Sequence, residues 1–213
     1  MPDLHFQVEE VLANPNAAVP QLSFRVRIAN SEPQVIHSMI LRVQIQIEPV
    51  RRRYSPQEQK HLEELFGEPE RWSKSLHPLL WTNANITGAS FTGSTTVEVP
   101  VPCSFDFNVA ITKYIYGLEG GELPLLLLFS GTVFYAGQVG LQVAQIPWDR
   151  EATYRLPVRV WKEMMDSYYP HAAWLCIRRD AFEKLYEVKA RRGFATWEQT
   201  IEALVGEFAE VKS

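Results

Sequence analysis

Arg51-Arg52-Arg53-Tyr54 is the sharpest charge feature of the sequence. Three guanidiniums at the end of a strand are forked, planar donors that could hold a phosphate, a carboxylate or an acidic patch on a partner. In a chain of formal net charge −4, a local basic cluster means more than it would in a basic protein. The competing reading is a strand terminus whose arginines pair with Glu48 and with helix carboxylates such as Glu58. Glu58-x-x-His61 puts a carboxylate and an imidazole on one helix face, which is half of a di-iron carboxylate arrangement. One copy does not make such a site, so Glu58, Lys60, Glu63 and Glu64 read as a solvated face and no metal or other cofactor is expected. The six tryptophans, Trp72, Trp81, Trp148, Trp161, Trp174 and Trp197, are many for this length, and several lie in connectors. Aromatics there can form a partner surface, while Trp beside Pro more often pins a loop to the core.

Other chemistry is weakly supported. Ser130-Gly131-Thr132 and the histidines His5, His37, His77 and His171 form no nucleophile elbow or triad spacing. Gly117 to Gly121 lacks the Lys-Ser/Thr ending of a phosphate loop and reads as a hairpin turn. Cys103 and Cys176 stand outside any Cys-x-x-Cys spacing, which predicts two buried free thiols in a reducing compartment. Metal handling through these thiols and the histidines is a weaker alternative.

The composition sets further bounds. The acidic balance repels the phosphate backbone, which argues against general nucleic-acid binding. With 46% hydrophobic and 22% charged residues, the chain is expected to fold as a globular protein. Met1 to Phe6 has no basic and apolar signal pattern. The longest apolar run, Leu123 to Phe134, is broken by Pro124, Ser130 and Gly131 and falls short of the roughly 20 residues of a membrane helix. A cytoplasmic protein without membrane insertion is expected.

These residues need elements to position them. Leu22, Phe24, Val26 and Ile28 alternate with polar neighbours, as do Leu41, Val43, Ile45 and Ile47, so Leu4 to Val50 reads as three antiparallel strands. Ser55, Pro56 and Glu58 form a capping box that opens an inserted helix over residues 56–66, closed by Gly67. An aromatic connector follows from Glu70 to Trp81. Strands are predicted again at Ala89 to Val99, Ser104 to Ile111, Leu125 to Tyr135 and Val139 to Gln145, with Leu125 to Phe129 apolar on both faces as in a central, covered strand. Three helices follow: Pro157 to Tyr169, one starting at Asp180 with Glu183 in the capping-box position and ending at Gly193, and one starting at Thr196 with Gln199. The fold class is α+β, an antiparallel β-sandwich or open barrel in a single domain over residues 1–213. Residues 1–155 are mainly β and 156–213 form a helical C-terminal extension.

Longer strings carry a resemblance. Leu41 to Pro49, Arg51 to Tyr54, Leu65-Phe66-Gly67, Arg71-Trp72 and Leu80-Trp81 are followed by Val99 to Cys103, Leu127 to Phe134, Pro147-Trp148-Asp149, Arg155-Leu156-Pro157 and Met164-Met165-Asp166. In this order they resemble a bacterial family of unknown function whose members are often encoded near genes for nickel–iron uptake hydrogenases and their maturation factors. The resemblance implies a setting and no catalytic residues. The expected function is therefore a non-catalytic accessory or chaperone-like protein that binds a protein partner, such as a hydrogenase subunit or maturation factor. Its expected surface comprises Arg51, Arg52, Arg53, Tyr54, Trp72 and Trp81. The alternative is a small-ligand-binding protein or enzyme with a pocket between the β body and the C-terminal helices, using groups such as His77, Asp106 or Asp149. Oligomeric state stays open.

Overall fold

Period-two alternation of apolar side chains builds two antiparallel sheets, each with one face turned inward. The computed structural model describes residues 1–211, so the last two residues of the predicted helical extension lie outside the described residues. Strands β1 (Leu4–Ala13), β2 (Gln21–Asn30) and β5 (Ser94–Pro102) form a three-stranded sheet in the order β1-β2-β5. The five-stranded sheet contains β3 (Ile36–Ile47), β4 (Leu79–Gly88), β6 (Glu122–Gly137), β7 (Gly140–Gln145) and β8 (Glu151–Pro157). Its order is β4-β3-β6, with β7 and β8 sharing the other side of the long strand β6 end to end.

The inner faces meet in a sandwich. Leu22, Phe24, Val26 and Ile28 of one sheet, and Leu41, Val43, Ile45, Leu127 and Phe129 of the other, are all buried in the same core. Phe6 and Phe129 stack across the layers at 4.2 Å, and Phe24 meets Trp81 edge-on at 6.1 Å. At the corners β1 lies against β8 and β5 against β4. Arg150 fastens the first corner through a 2.6 Å bond to Asp3. At Gly131 the β3 and β6 backbones approach so closely that a Cβ would sit 2.0 Å from the Ile40 carbonyl oxygen. With φ at +144°, only glycine fits there.

Helices cover one end of the body. Helix α1 (Pro56–Phe66) carries the full capping box of Ser55 and Glu58. A short turn, α2 (Trp72–Ser75), precedes β4. Helix α3 (Val109–Gly117) lies where a strand was expected from Ser104 to Ile111. Asn108 caps it through Ile111 N–H, and Ile111, Tyr114, Ile115 and Leu118 bury at helical spacing, which outweighs the short alternation before it. Helix α4 (Val158–Tyr168) buries Trp161, Met164 and Met165. Two further strands escape the sequence pattern, β4 and β8, while Ala89 to Gly93 lies outside β5, with Phe91 making a single bridge to Ile36.

The chain forms two compact units, Met1–Ala172 and a second beginning at Ala173. The second unit holds α5 (Arg179–Arg192) and α6 (Trp197–Val211). Helix α5 starts one residue before the expected Asp180, which lies in the first turn, where a carboxylate suits the exposed N–H groups. Thr196 and Gln199 bond reciprocally at the start of α6, as expected. Trp197 packs against Phe182 at 5.2 Å and Tyr186 at 6.3 Å. Among the described residues, no helix is long and apolar enough to cross a membrane.

Candidate functional site

The arginine cluster splits as soon as the chain folds. Arg51 is exposed and bonds Glu48 at 3.2 Å. Arg53 is exposed and makes no ion pair among the described residues. Arg52 turns inward, with 9% of its side chain accessible. Its Nη2 donates to Glu58 Oε1 and to the Gly120 carbonyl, both at 2.6 Å, and its Nη1 donates to the Glu122 carbonyl at 2.7 Å. The guanidinium thus clasps the turn between α3 and β6, and Gly121, at φ +74°, leaves room beside Nη1.

Glu58 answers this charge from inside the first turn of α1. Only 4% of the residue is exposed, so the expectation of a solvated Glu58 is corrected. Its carboxylate accepts from Arg52, from Glu119 N–H at 2.9 Å and from Ser55 N–H at 3.0 Å. Burial by itself would raise its pKa. The backbone donors of Ser55 and Glu119, with the Arg52 charge, outweigh that and hold the carboxyl below its ordinary value. A buried ion pair of this kind positions a loop; of its polar atoms, Arg52 Nε is buried without a hydrogen-bond partner.

The aromatic candidates are also absorbed. Tyr54 donates to the Pro49 carbonyl at 2.8 Å and accepts from Tyr114 at the same distance. Its ring meets Trp72 edge-on at 5.1 Å, and burial drives both phenols upward in pKa. Trp72 is 6% exposed and its indole N–H bonds the Gly67 carbonyl, while Trp81, 3% exposed, belongs to the sandwich core. The proposed partner surface therefore loses Arg52, Trp72 and Trp81 to the interior. Arg51 and Arg53 stay outside, and Tyr54 is half-buried.

Catalytic groups do not converge. His77, Asp106 and Asp149 are each exposed. A shallow cleft of about 360 Å³ beside α1 and α3 is lined by His61, Glu64, Lys113 and Tyr116. Another of about 320 Å³ is lined by Glu48, Arg51, Tyr154 and Arg155. Both are open to solvent. Among the described residues, no group of three or more His, Cys, Asp or Glu could hold a metal ion. Cys103 is buried, which pushes its thiol up to about 12, whereas Cys176 is exposed, against the expectation of two buried thiols.

What does stand open is the hairpin of β6 and β7. Ile146 N–H bonds the Gly131 carbonyl, which fixes the parity of the ladder: Gln142 and Ala144 exchange bonds with β6, while Leu141, Val143 and Gln145 point their backbone groups away from it. No strand lies on that side among the described residues. On the outer face, Leu141 and Val143 are 63% and 57% exposed, beside half-buried Phe134, with Ile40 on the same face of β3. Val139 at the hairpin tip and Trp148 just past the strand are 89% and 92% exposed. No charged residue occurs from Leu123 to Trp148. Sequence reasoning found the strand but not its edge; the uncharged run was the one signal available.

These features define an α+β sandwich protein with an unprotected sheet edge and no assembled catalytic centre among its described residues. The chain belongs to the family of unknown function DUF6084, which matches residues 1–213. No curated protein matches it. Solved structures similar to it include the CARDB domain of a Pyrococcus furiosus protein in complex with di-metal ions, 12% identical with a TM-score of 0.27 over 73% of this chain and 87% of that one. A β-glucosidase from Kluyveromyces marxianus is 9% identical with a TM-score of 0.27 over 72% of this chain and 15% of that one.

Proposed function

We propose that this protein is a non-catalytic accessory protein that captures an extended segment of a partner polypeptide along the open edge of β7. The observation that carries this reading is the outward row of backbone groups on Leu141, Val143 and Gln145, flanked by exposed apolar side chains. An added strand would satisfy those donors and acceptors and cover Leu141 and Val143, so main-chain bonds would supply affinity and the apolar face selectivity. Natural edge strands commonly carry lysine, proline or a bulge that blocks such pairing. β7 has none of these. Arg53, exposed and without an ion pair among the described residues, remains available to an acidic group on the same partner. From the sequence resemblance we take the partner to be a hydrogenase subunit or maturation factor and the compartment to be the cytoplasm.

Val143→Pro tests the reading selectively. The Val143 N–H points away from β6, so proline there removes an outward donor without breaking the hairpin ladder. Tagged wild-type protein should recover hydrogenase subunits or maturation factors from hydrogenase-induced cells, and the folded variant should recover at least tenfold less. Equal recovery by both would overturn the edge as the binding element.

A further inference from the structure

The side chains along the open edge of β7 change character from one end to the other. Whichever way an added strand runs, its side chains share a face with the residues beside them. A segment bonded to Leu141, Val143 and Gln145 therefore sets alternate side chains beside these three on the outer face, and the intervening ones beside Gln142 and Ala144 on the inner face. Near the hairpin tip the outer positions are apolar, with Leu141 and Val143 exposed and Phe134 paired to Val143. Farther along, Gln145 donates its side-chain amide to the Thr132 hydroxyl at 3.2 Å. On the inner face Gln142 accepts from the Tyr135 hydroxyl at 2.9 Å. No residue from Leu123 to Trp148 is charged. A charged side chain laid beside Leu141 or Val143 would give up water against apolar neighbours, with no countercharge from this stretch.

Resting on strand capture at β7, we propose that the edge selects neutral, alternating segments: apolar side chains beside Leu141 and Val143, and polar ones beside Gln142 and Gln145. The occupant is thus a half-apolar strand of the partner polypeptide. A helix could not take up the outward donors and acceptors, because its own backbone bonds internally. A highly charged tail would find apolar side chains at both outer positions near the tip. β-branched residues suit those positions, since they pack well on a pleated surface.

The experiment is calorimetric titration of the full-length protein with blocked peptides of about six residues, the length of an ordinary strand. The neutral probe carries valine at two alternate positions and threonine elsewhere; the charged probe carries aspartate at the same two positions. Wild type should bind the neutral probe at least tenfold more tightly than the charged one. Leu141→Lys, at an exposed site, should reverse that order, because its ammonium then lies beside an aspartate. Val143→Pro should bind neither. Equal binding of the two probes by wild type, or an unreversed order in Leu141→Lys, would overturn the selectivity and leave strand capture standing. Failure of wild type to bind the neutral probe would also overturn it, and partner recovery lost in Val143→Pro would show that capture itself survives. Undiminished binding of the neutral probe by Val143→Pro would overturn capture at the edge and the selectivity with it. A wild-type dimer that Val143→Pro dissociates would give the edge to a second copy and overturn both.

Discussion

Arg52 and Glu58 show how one residue pair can decide the use of a whole cluster. The pair is 5–9% accessible at its side chains, so its desolvation is offset only while both partners are present. Arg52→Met should cost about 3–5 kcal/mol of stability at neutral pH, because it leaves a buried carboxylate without its countercharge. Urea unfolding across pH checks the cause. The folded Glu58 carboxyl lies below its ordinary value of 4.5, so its stabilisation is fully present above that value and is lost as pH falls through the lower, folded one. The gap between wild type and variant should therefore narrow in acid, and a gap independent of pH would refute the charge origin. The sequence nominated both residues as partners. It could not show that Arg52 faces inward, since that depends on Gly120 and Glu122, far along the chain.

At the scale of elements, local signals were legible and pairing was not. The capping box of α1 lies within four residues and reads directly from Ser55 to Glu58. Strand β6 announced itself as central through an apolar run on both faces, and its partners β3 and β8 flank that stretch. Strand β4 went unseen because Thr82-Asn83-Ala84-Asn85 is poor in strand-forming side chains and becomes a strand only by pairing with β3. The exposed edge of β7 was illegible for the same reason: strand order is a nonlocal property. The closest approach in the sheet gives an element-scale expectation. Gly131→Ala forces a methyl group into the Ile40 carbonyl, so β3 and β6 must part. The expected cost is about 3 kcal/mol, read as a Tm lower by roughly 6–12 °C. An unchanged Tm would mean that the two strands slide apart without loss.

For the whole molecule, the contrast between the units governs how the chain comes apart. Residues 172–178 carry no regular structure, and Arg178 and Arg179 have side chains 85% and 92% exposed at the start of α5. Limited trypsin digestion should cut first at these two arginines and leave a resistant body ending there, visible as one fragment by mass spectrometry. First cuts at Arg51 or Arg53 would show instead that the inserted segment is the weaker region.

The position of β6 also has a consequence in time. Val43 pairs with Phe129 in the middle of the larger sheet, and at synthesis rates of about 5–20 residues per second Phe129 leaves the ribosome roughly 4–17 s after Val43. Through that interval the nascent chain displays an unfinished sheet, with β4 on one side of β3 and nothing on the other. The segment that fills the gap emerges only afterwards, and from Leu123 to Trp148 it has no charged residue to discourage wrong pairing while it docks on β3.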